Sequence, residues 1–256
     1  MSTPIDISEA AGVRYLHFGS DWIQGAMRIR KPNALELAYT REMMAGLLLR
    51  DGLADDAGQW PKKVLIIGLG AASLAKFVYQ YCPQARIKVV EIAPSVVAAA
   101  RQFFKLPDED ARFSIHVGCG AQYVLEKDQT YDYILVDGYD RNARAGALDT
   151  LPFYQALRSR LSSQGLMAVN LFGRSRGYKA SVERILAAFD DRVLAFPSCD
   201  SGNVVAFGAA GEAIERPLGE LRERAKLLKA ATGLELGPTI ARLEQSGSVP
   251  GGILHL

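Results

Sequence analysis

Histidine, cysteine and net charge are all scarce in this 256-residue sequence, which has three His, three Cys and a formal net charge of +2. Cys82, Cys119 and Cys199 are widely spaced, odd in number and without a CxxC pair, which argues against a disulfide framework or a zinc site. No metal is therefore expected. The near-neutral balance provides no field to gather nucleic acid or an anionic membrane, so the expected partner is a small molecule. No stretch approaches the roughly 20 apolar residues of a membrane span, and MSTPIDISEA at the start has acids and no apolar core of leader length. The expectation is a cytoplasmic protein without nucleic-acid or membrane partners. No GxSxG turn marks a covalent nucleophile, and there is no internal repeat.

What is present is a soluble, globular composition, 49% hydrophobic and 23% charged. In VRYLHFGSDWIQGAMRI two β-prone runs flank Gly19-Ser20-Asp21, the pattern of a hairpin. NALELAYTREMMAGLLL has apolar residues at helical spacing and predicts one helix over about 33–49. From Val64 onward, short apolar strands (KVLIIG, IKVVEI, FSIHVG, YDYILVDG, LMAVNLF) alternate with amphipathic helices, which predicts a doubly wound, mostly parallel sheet. RVLAFP and NVVAFG around SCDSG then predict an antiparallel hairpin at its end. This order is that of a seven-stranded methyltransferase-like (Rossmann-like) α/β fold preceded by a small β element. Three parts are expected: 1–50 (hairpin plus helix), 60–210 (nucleoside-binding sheet) and 211–256 (helical tail). In the tail, SGSVPGGILHL is expected to be loose or laid on the surface.

In such a sheet, ligands bind beyond the carboxyl ends of the strands. Gly68 and Gly70, flanking Leu69, supply backbone clearance for a ligand, while Ser73 stands where a dinucleotide fingerprint needs a third glycine. A nucleoside is favoured over a pyrophosphate. Glu91 ends an otherwise apolar strand about twenty residues on, where a carboxylate takes both hydroxyls of a ribose; the alternative is an acid capping the next helix. Ile92 follows it toward the same ligand. Gly118, Cys119 and Gly120 turn across an adenine edge, or else form a plain strand-to-helix turn with a buried thiol.

ILVDGYD brings Asp137 and Asp140 to one mouth of the sheet, with Tyr139 between them on the substrate side. Two carboxylates there suit an amine, and one can accept its proton. In the alternative reading, Asp140 shapes a turn and Asp137 caps a backbone amide. Asp149 and Thr150 read as a helix cap, Phe153 and Tyr154 as core or pocket wall, His116 as a satisfied core residue, and the arginines of RNARAG and GRSRG as solvated loops.

Across residues 13–208, YLHFGSDWIQGAM, LELAYTREMM, VLIIGLGAASLA, VVEIAP, GCGAQYVL, YILVDGYD and FYQALRSRLSSQGLMAVNLF together resemble the spermidine synthase (polyamine aminopropyltransferase) superfamily, in its spermidine-synthase-like branch. The resemblance implies a transferase, usually a homodimer, that moves an aminopropyl group from decarboxylated S-adenosylmethionine to an amine. It implies Asp137 as the catalytic acid that orients and deprotonates the amine, Asp140 as the second acid, Glu91 as the ribose ligand, and Gln24 and Tyr39 as substrate or cofactor contacts. The chain departs from the family at Ala71, where an acid grips the aminopropyl ammonium, and at Cys119, where an Asp binds adenine. Thr40 replaces a His, Ala93 an Asp, and Asn170 the usual Gln. Loss of the ammonium acid removes a charge-assisted contact worth roughly 1.5–3 kcal/mol. Two further readings therefore stand beside aminopropyl transfer: a methyltransferase using S-adenosylmethionine itself, and a noncatalytic nucleoside-binding homologue.

Overall fold

A three-stranded antiparallel sheet comes first in the chain: β1 (Asp6–Ala10), β2 (Val13–His17) and β3 (Gly25–Arg28). The pair β2–β3 is the expected hairpin, and β1 is an addition that its sequence hides, since four of its five residues are exposed and only Ile7 is partly covered. The computed structural model describes residues 4–51, 60–139, 144–173, 177–199 and 202–256.

The single helix expected over 33–49 is instead two short ones, α1 (Ala38–Met43) and α2 (Gly46–Leu49). The cause lies in a distant residue. The buried Tyr133 hydroxyl donates to the Met43 carbonyl and accepts from the Gly46 amide at 3.2 Å, so it takes two backbone groups that a continuous helix would pair with the Leu47 amide and the Glu42 carbonyl. Gly46 is required there because a Cβ would fall 2.4 Å from that oxygen.

Beyond this lie β4 (Lys63–Ile67), α3 (Ser73–Tyr81), β5 (Arg86–Glu91), α4 (Pro94–Phe103), β6 (Phe113–Val117), α5 (Gly120–Glu126), β7 (Tyr131–Val136), α6 (Leu151–Ser159), β8 (Leu161–Phe172), α7 (Tyr178–Phe189), β9 (Val193–Ala195) and β10 (Asn203–Ala209). The seven strands order as β6-β5-β4-β7-β8-β10-β9, parallel except for the two pairings of β10. This is the expected doubly wound sheet with its terminal hairpin. The chain moves outward from β4 through β5 to β6 and then crosses to the other side at β7, so the crevice for a ligand opens beyond the ends of β4 and β7.

Alternating strand residues feed two cores. Val64, Ile66, Val89, Leu135 and Phe207 face α3, the N-terminal segment and the tail, while Leu65, Ile67, Val90, Ile134 and Met167 face α5, α6 and α7. Each such side chain, fully buried, contributes roughly 1.5–3 kcal/mol. Lys76 lies inside the first core: 2% exposed, it donates to the Phe104 carbonyl at 2.8 Å, and burial pulls its ammonium down to about 7.

The tail comprises β11 (Glu215–Pro217), α8 (Leu218–Thr232), α9 (Gly237–Gln245) and β12 (Ile253–His255). Its last residues are not loose. β12 pairs with β11, Leu254 and Leu256 are buried, and the Ile214 and Leu256 backbones exchange hydrogen bonds. Glu42 of α1, 1% exposed, forms an ion pair with Arg242 of α9, tying the tail to the N-terminal segment.

Two smaller expectations are also corrected. His116 is exposed, because β6 is the edge strand and its imidazole lies outside the core. Thr150 does cap α6, accepting from the Phe153 amide, but Asp149 does not: it pairs with Arg184 at 2.8 Å and accepts from Ser181 and Tyr154. Among the described residues, no helix is long and apolar enough to cross a membrane.

Candidate active site

Parallel register brings the rim residues into one row. Ile67 pairs with Val136 and Val90, so the next residues along, Gly68, Asp137 and Glu91, stand side by side at the carboxyl ends of their strands. Gly68 donates to the Val90 carbonyl, Asp137 to the Ile67 carbonyl and Gly118 to the Glu91 carbonyl, which carries the row to the edge strand. In front of it is a cavity of about 690 Å³. Its walls include Gly68, Leu69, Gly70, Glu91, Ile92, Cys119, Gly120, Asp137 and Tyr139 from the sheet, and Gln24 and Tyr39 from the N-terminal segment. The expected site residues thus converge, except that Gly118 lies just behind the wall and Asp140 lies outside the described residues.

The glycine turn works differently from the expectation. Gly68 has φ +93°, and a Cβ there would fall 2.2 Å from the Asp137 carbonyl oxygen. The clearance serves the neighbouring strand, bringing Asp137 close to β4, before it serves any ligand. Ala72 then takes φ +57° to start α3.

Glu91, 6% exposed, is fixed by backbone. One oxygen accepts from the Leu69 amide and the other from the Ala93 amide, both at 2.8 Å. The capping reading of Glu91 is met in part, since Ala93 is the N-cap residue of α4. Burial raises the carboxyl above the usual range, and the amides of Ala93, Leu69 and Ile92 pull it back. A carboxylate has about four acceptor sites, so the group can still accept from a hydroxyl. Ile92, 70% exposed, offers an apolar face beside it.

Asp137 is fixed by side chains. Tyr39 Oη donates to one carboxylate oxygen at 3.0 Å, and Asn170 Nδ2 donates to the other at 2.9 Å. Among the described residues the donors to this carboxylate are side chains and not backbone amides. Burial pushes the Asp137 carboxyl up, the two donors offset part of that, and the same burial together with Asp137 raises the Tyr39 phenol well above its usual range. A carboxylate so placed can take a proton at a higher pH than a solvated one. Tyr139, expected on the substrate side, spends its hydroxyl on the Asn170 carbonyl and stacks on Phe172 with ring centroids 4.5 Å apart.

Among the wall residues that escaped sequence reasoning are Leu148, Phe172 and Asn203, with Phe18 and Ile23 from the hairpin and Arg144 before the short turn. Leu148 sits in a single 3-10 turn, Gly146–Leu148, with no periodicity to mark it. Ala71 shows the opposite outcome. It is 2% exposed and outside the cavity wall, because β3 comes down on it so closely that a Cβ on Gly25 would fall 2.6 Å from the Ala71 Cβ. Cys119 lines the cavity as a free thiol.

Residues 38–172 match the family model described as the spermine/spermidine synthase domain. The chain is 36% identical over 252 residues to a polyamine aminopropyltransferase of Neisseria meningitidis, and 37% identical over 250 residues to that of Chromobacterium violaceum. Each alignment spans 98% of this chain and 93% of the relative. Among solved structures, human methyltransferase-like protein 13 in complex with SAH superposes with a TM-score of 0.66 and 26% identity, over 77% of this chain and 93% of that one. With the family model matched over more than half of the chain, and sequence agreement over 98% of this chain and 93% of each aminopropyltransferase, the chain belongs to the spermine/spermidine synthase family.

Proposed function

We propose that the chain transfers an aminopropyl group from decarboxylated S-adenosylmethionine to a small amine, as a polyamine aminopropyltransferase, with Asp137 as the base. The observation that carries the reading is the buried carboxylate at the strand crossover, each oxygen held by one side-chain donor with the cavity before it. Near-full-length identity to two aminopropyltransferases supports the same reaction.

The donor's nucleoside fits the half of the cavity built by Gly68, Leu69, Gly70, Glu91, Ile92, Cys119 and Gly120, with Glu91 on the ribose hydroxyls, and Gln24 closes over it from the hairpin. The acceptor amine sits against Asp137, with Tyr39 and Tyr139 on either side, and family resemblance gives Asp140 the part of the second acid. The amine nitrogen attacks the propyl carbon attached to the sulfonium. The carbon–sulfur bond breaks with its electron pair left on sulfur, which becomes the neutral thioether of methylthioadenosine. The proton lost by the nitrogen passes to Asp137 and then to water. Alignment and water exclusion supply most of the acceleration, and proton transfer to a positioned base contributes roughly 10²–10⁴-fold. The same reading places the enzyme in the cytoplasm as a homodimer, and divides the chain into 1–50, 60–210 and 211–256; the wide spacing of the three cysteines supports the first point and family resemblance the dimer and the small N-terminal β domain, and sedimentation of the purified protein tests the dimer.

One observation favours methyl transfer as a second reading. Ala71 is sealed under Gly25, so this turn presents no carboxylate to a propyl ammonium. Thermal stabilisation by decarboxylated S-adenosylmethionine, S-adenosylmethionine and methylthioadenosine separates the two. A ligand at about a hundred times its Kd adds roughly 2.7 kcal/mol. The largest shift is expected with the decarboxylated compound; a larger one with S-adenosylmethionine would move the assignment to methyl transfer.

A further inference from the structure

One of the two donors that hold Asp137 is itself held. Asn170 Nδ2 faces Asp137, and Asn170 Oδ1 accepts from Asn203 Nδ2 at 2.9 Å. The geometry comes from strand register: in the antiparallel β8–β10 ladder Asn170 lies opposite Val205, so Asn203, two residues along, is its diagonal neighbour on the same face. Both amides are buried, at 3% and 5% exposure, and Asn203 lines the cavity. Its backbone is anchored too, since the Asn203 carbonyl accepts from the Cys199 amide at 3.0 Å.

An ionised carboxylate accepts hydrogen bonds and cannot donate, so only the nitrogen end of Asn170 can serve Asp137. A side-chain amide is nearly symmetric in shape, and its own packing does little to select that end. Turned over, Asn170 would set its carbonyl oxygen against the carboxylate, leaving Tyr39 as the remaining side-chain donor among the described residues. A donor at the far end of the amide prevents this. We propose that Asn203 is a positioning residue for the transfer reaction, which keeps the Asn170 amide turned nitrogen-first toward Asp137. The inference rests on Asp137 being the proton acceptor; through Asn170, Asn203 then sets the pH at which that acceptor is ready.

The decisive variant is Asn203→Asp in the full-length enzyme, assayed for methylthioadenosine release across pH 6–10. An aspartate at 203 accepts instead of donating, so Asn170 turns toward it and away from Asp137. The expected result is a fall in kcat of about tenfold or more at neutral pH, with KM for the nucleoside donor unchanged and activity recovering as the pH rises. Asn203→Leu, which has no charge to bury, is expected to lower kcat by a smaller factor. In an Asn170→Ala background the leucine change should have no further effect, since the group it acts through is gone. An unchanged pH profile in Asn203→Asp, or an undiminished loss from Asn203→Leu in the Asn170→Ala background, would overturn the proposal. Asp137→Asn in parallel separates the two claims: if that variant keeps full activity, the assignment of the base itself is at fault and not the role of Asn203.

Discussion

Glu91 and Asp137 stand in one row at the same edge of one sheet, yet they are held by opposite means. Glu91 is gripped by the amides of Leu69 and Ala93, groups that no substitution at those positions short of proline removes. Asp137 is gripped by the side chains of Tyr39 and Asn170, and through Asn170 by Asn203, each of which a single codon change deletes. The half of the cavity proposed for the nucleoside is therefore a property of the fold. The half proposed for the reaction is a property of particular residues brought from three distant parts of the chain. A site divided in this way lets single substitutions alter the reacting half while the fold keeps the other, which suits a fold that hosts several chemistries.

The sharpest break of this comparison is Asp137→Asn. Turnover is expected to fall by roughly 10²–10⁴-fold while thermal stabilisation by the nucleoside donor persists. Steady-state kinetics beside a melting assay reads both. Glu91→Gln should do the reverse, raising Kd for the donor by roughly tenfold to a hundredfold, the range of one charge-assisted contact, with a smaller loss of kcat at saturation. Because burial holds the Glu91 carboxyl above the usual range, wild-type donor affinity should also weaken as the pH falls through that raised value and the carboxylate takes up a proton. Calorimetric titration at several pH values measures it.

Tyr39→Phe tests the side-chain half more gently. It removes one of two donors that offset the burial of Asp137, so the base takes up its proton at a still higher pH. Activity that rises with pH in wild type is expected to rise later in the variant, with kcat down about tenfold at neutral pH and equal to wild type or nearly so at high pH. A pH–rate profile shows the displacement.

Lys76 belongs to neither half and should leave both untouched. Its ammonium is lowered to about 7 in the folded protein, so between that value and the ordinary lysine range the unfolded chain binds a proton the folded chain does not. Its contribution therefore makes stability rise with pH across that window and level off below it. Lys76→Met should remove this component: relative to the variant, wild type gains stability between pH 7 and pH 10, on the order of 3 kcal/mol. Urea unfolding at the two pH values reads the difference, with turnover per folded molecule unchanged.

The backbone-held half was the legible one. A glycine turn after an apolar strand, and an acid at the end of the next strand, are local signals, and parallel register brings them together without further information. Even so, Gly68 was assigned to the ligand when its missing Cβ first admits Asp137, a contact 69 residues away that no local pattern encodes. The side-chain half was only partly legible. Asp137 followed from its place at a strand end, but Tyr39 lies 98 residues before it and came from family resemblance alone. Asn203 gave no signal at all, because its link to Asn170 depends on the register of an antiparallel pairing. The same kind of distance broke the helix expected over 33–49, where the Tyr133 hydroxyl intrudes from the sheet. The ordered final strand β12 depends likewise on a partner, β11, near the start of the tail.

The most direct test of the account is product analysis with the purified full-length protein, offered decarboxylated S-adenosylmethionine or S-adenosylmethionine together with a panel of linear amines. The account predicts methylthioadenosine and an amine heavier by one aminopropyl group from the decarboxylated donor, with both absent in Asp137→Asn. Formation of S-adenosylhomocysteine and a methylated amine from S-adenosylmethionine, with no methylthioadenosine from the decarboxylated donor, would contradict it.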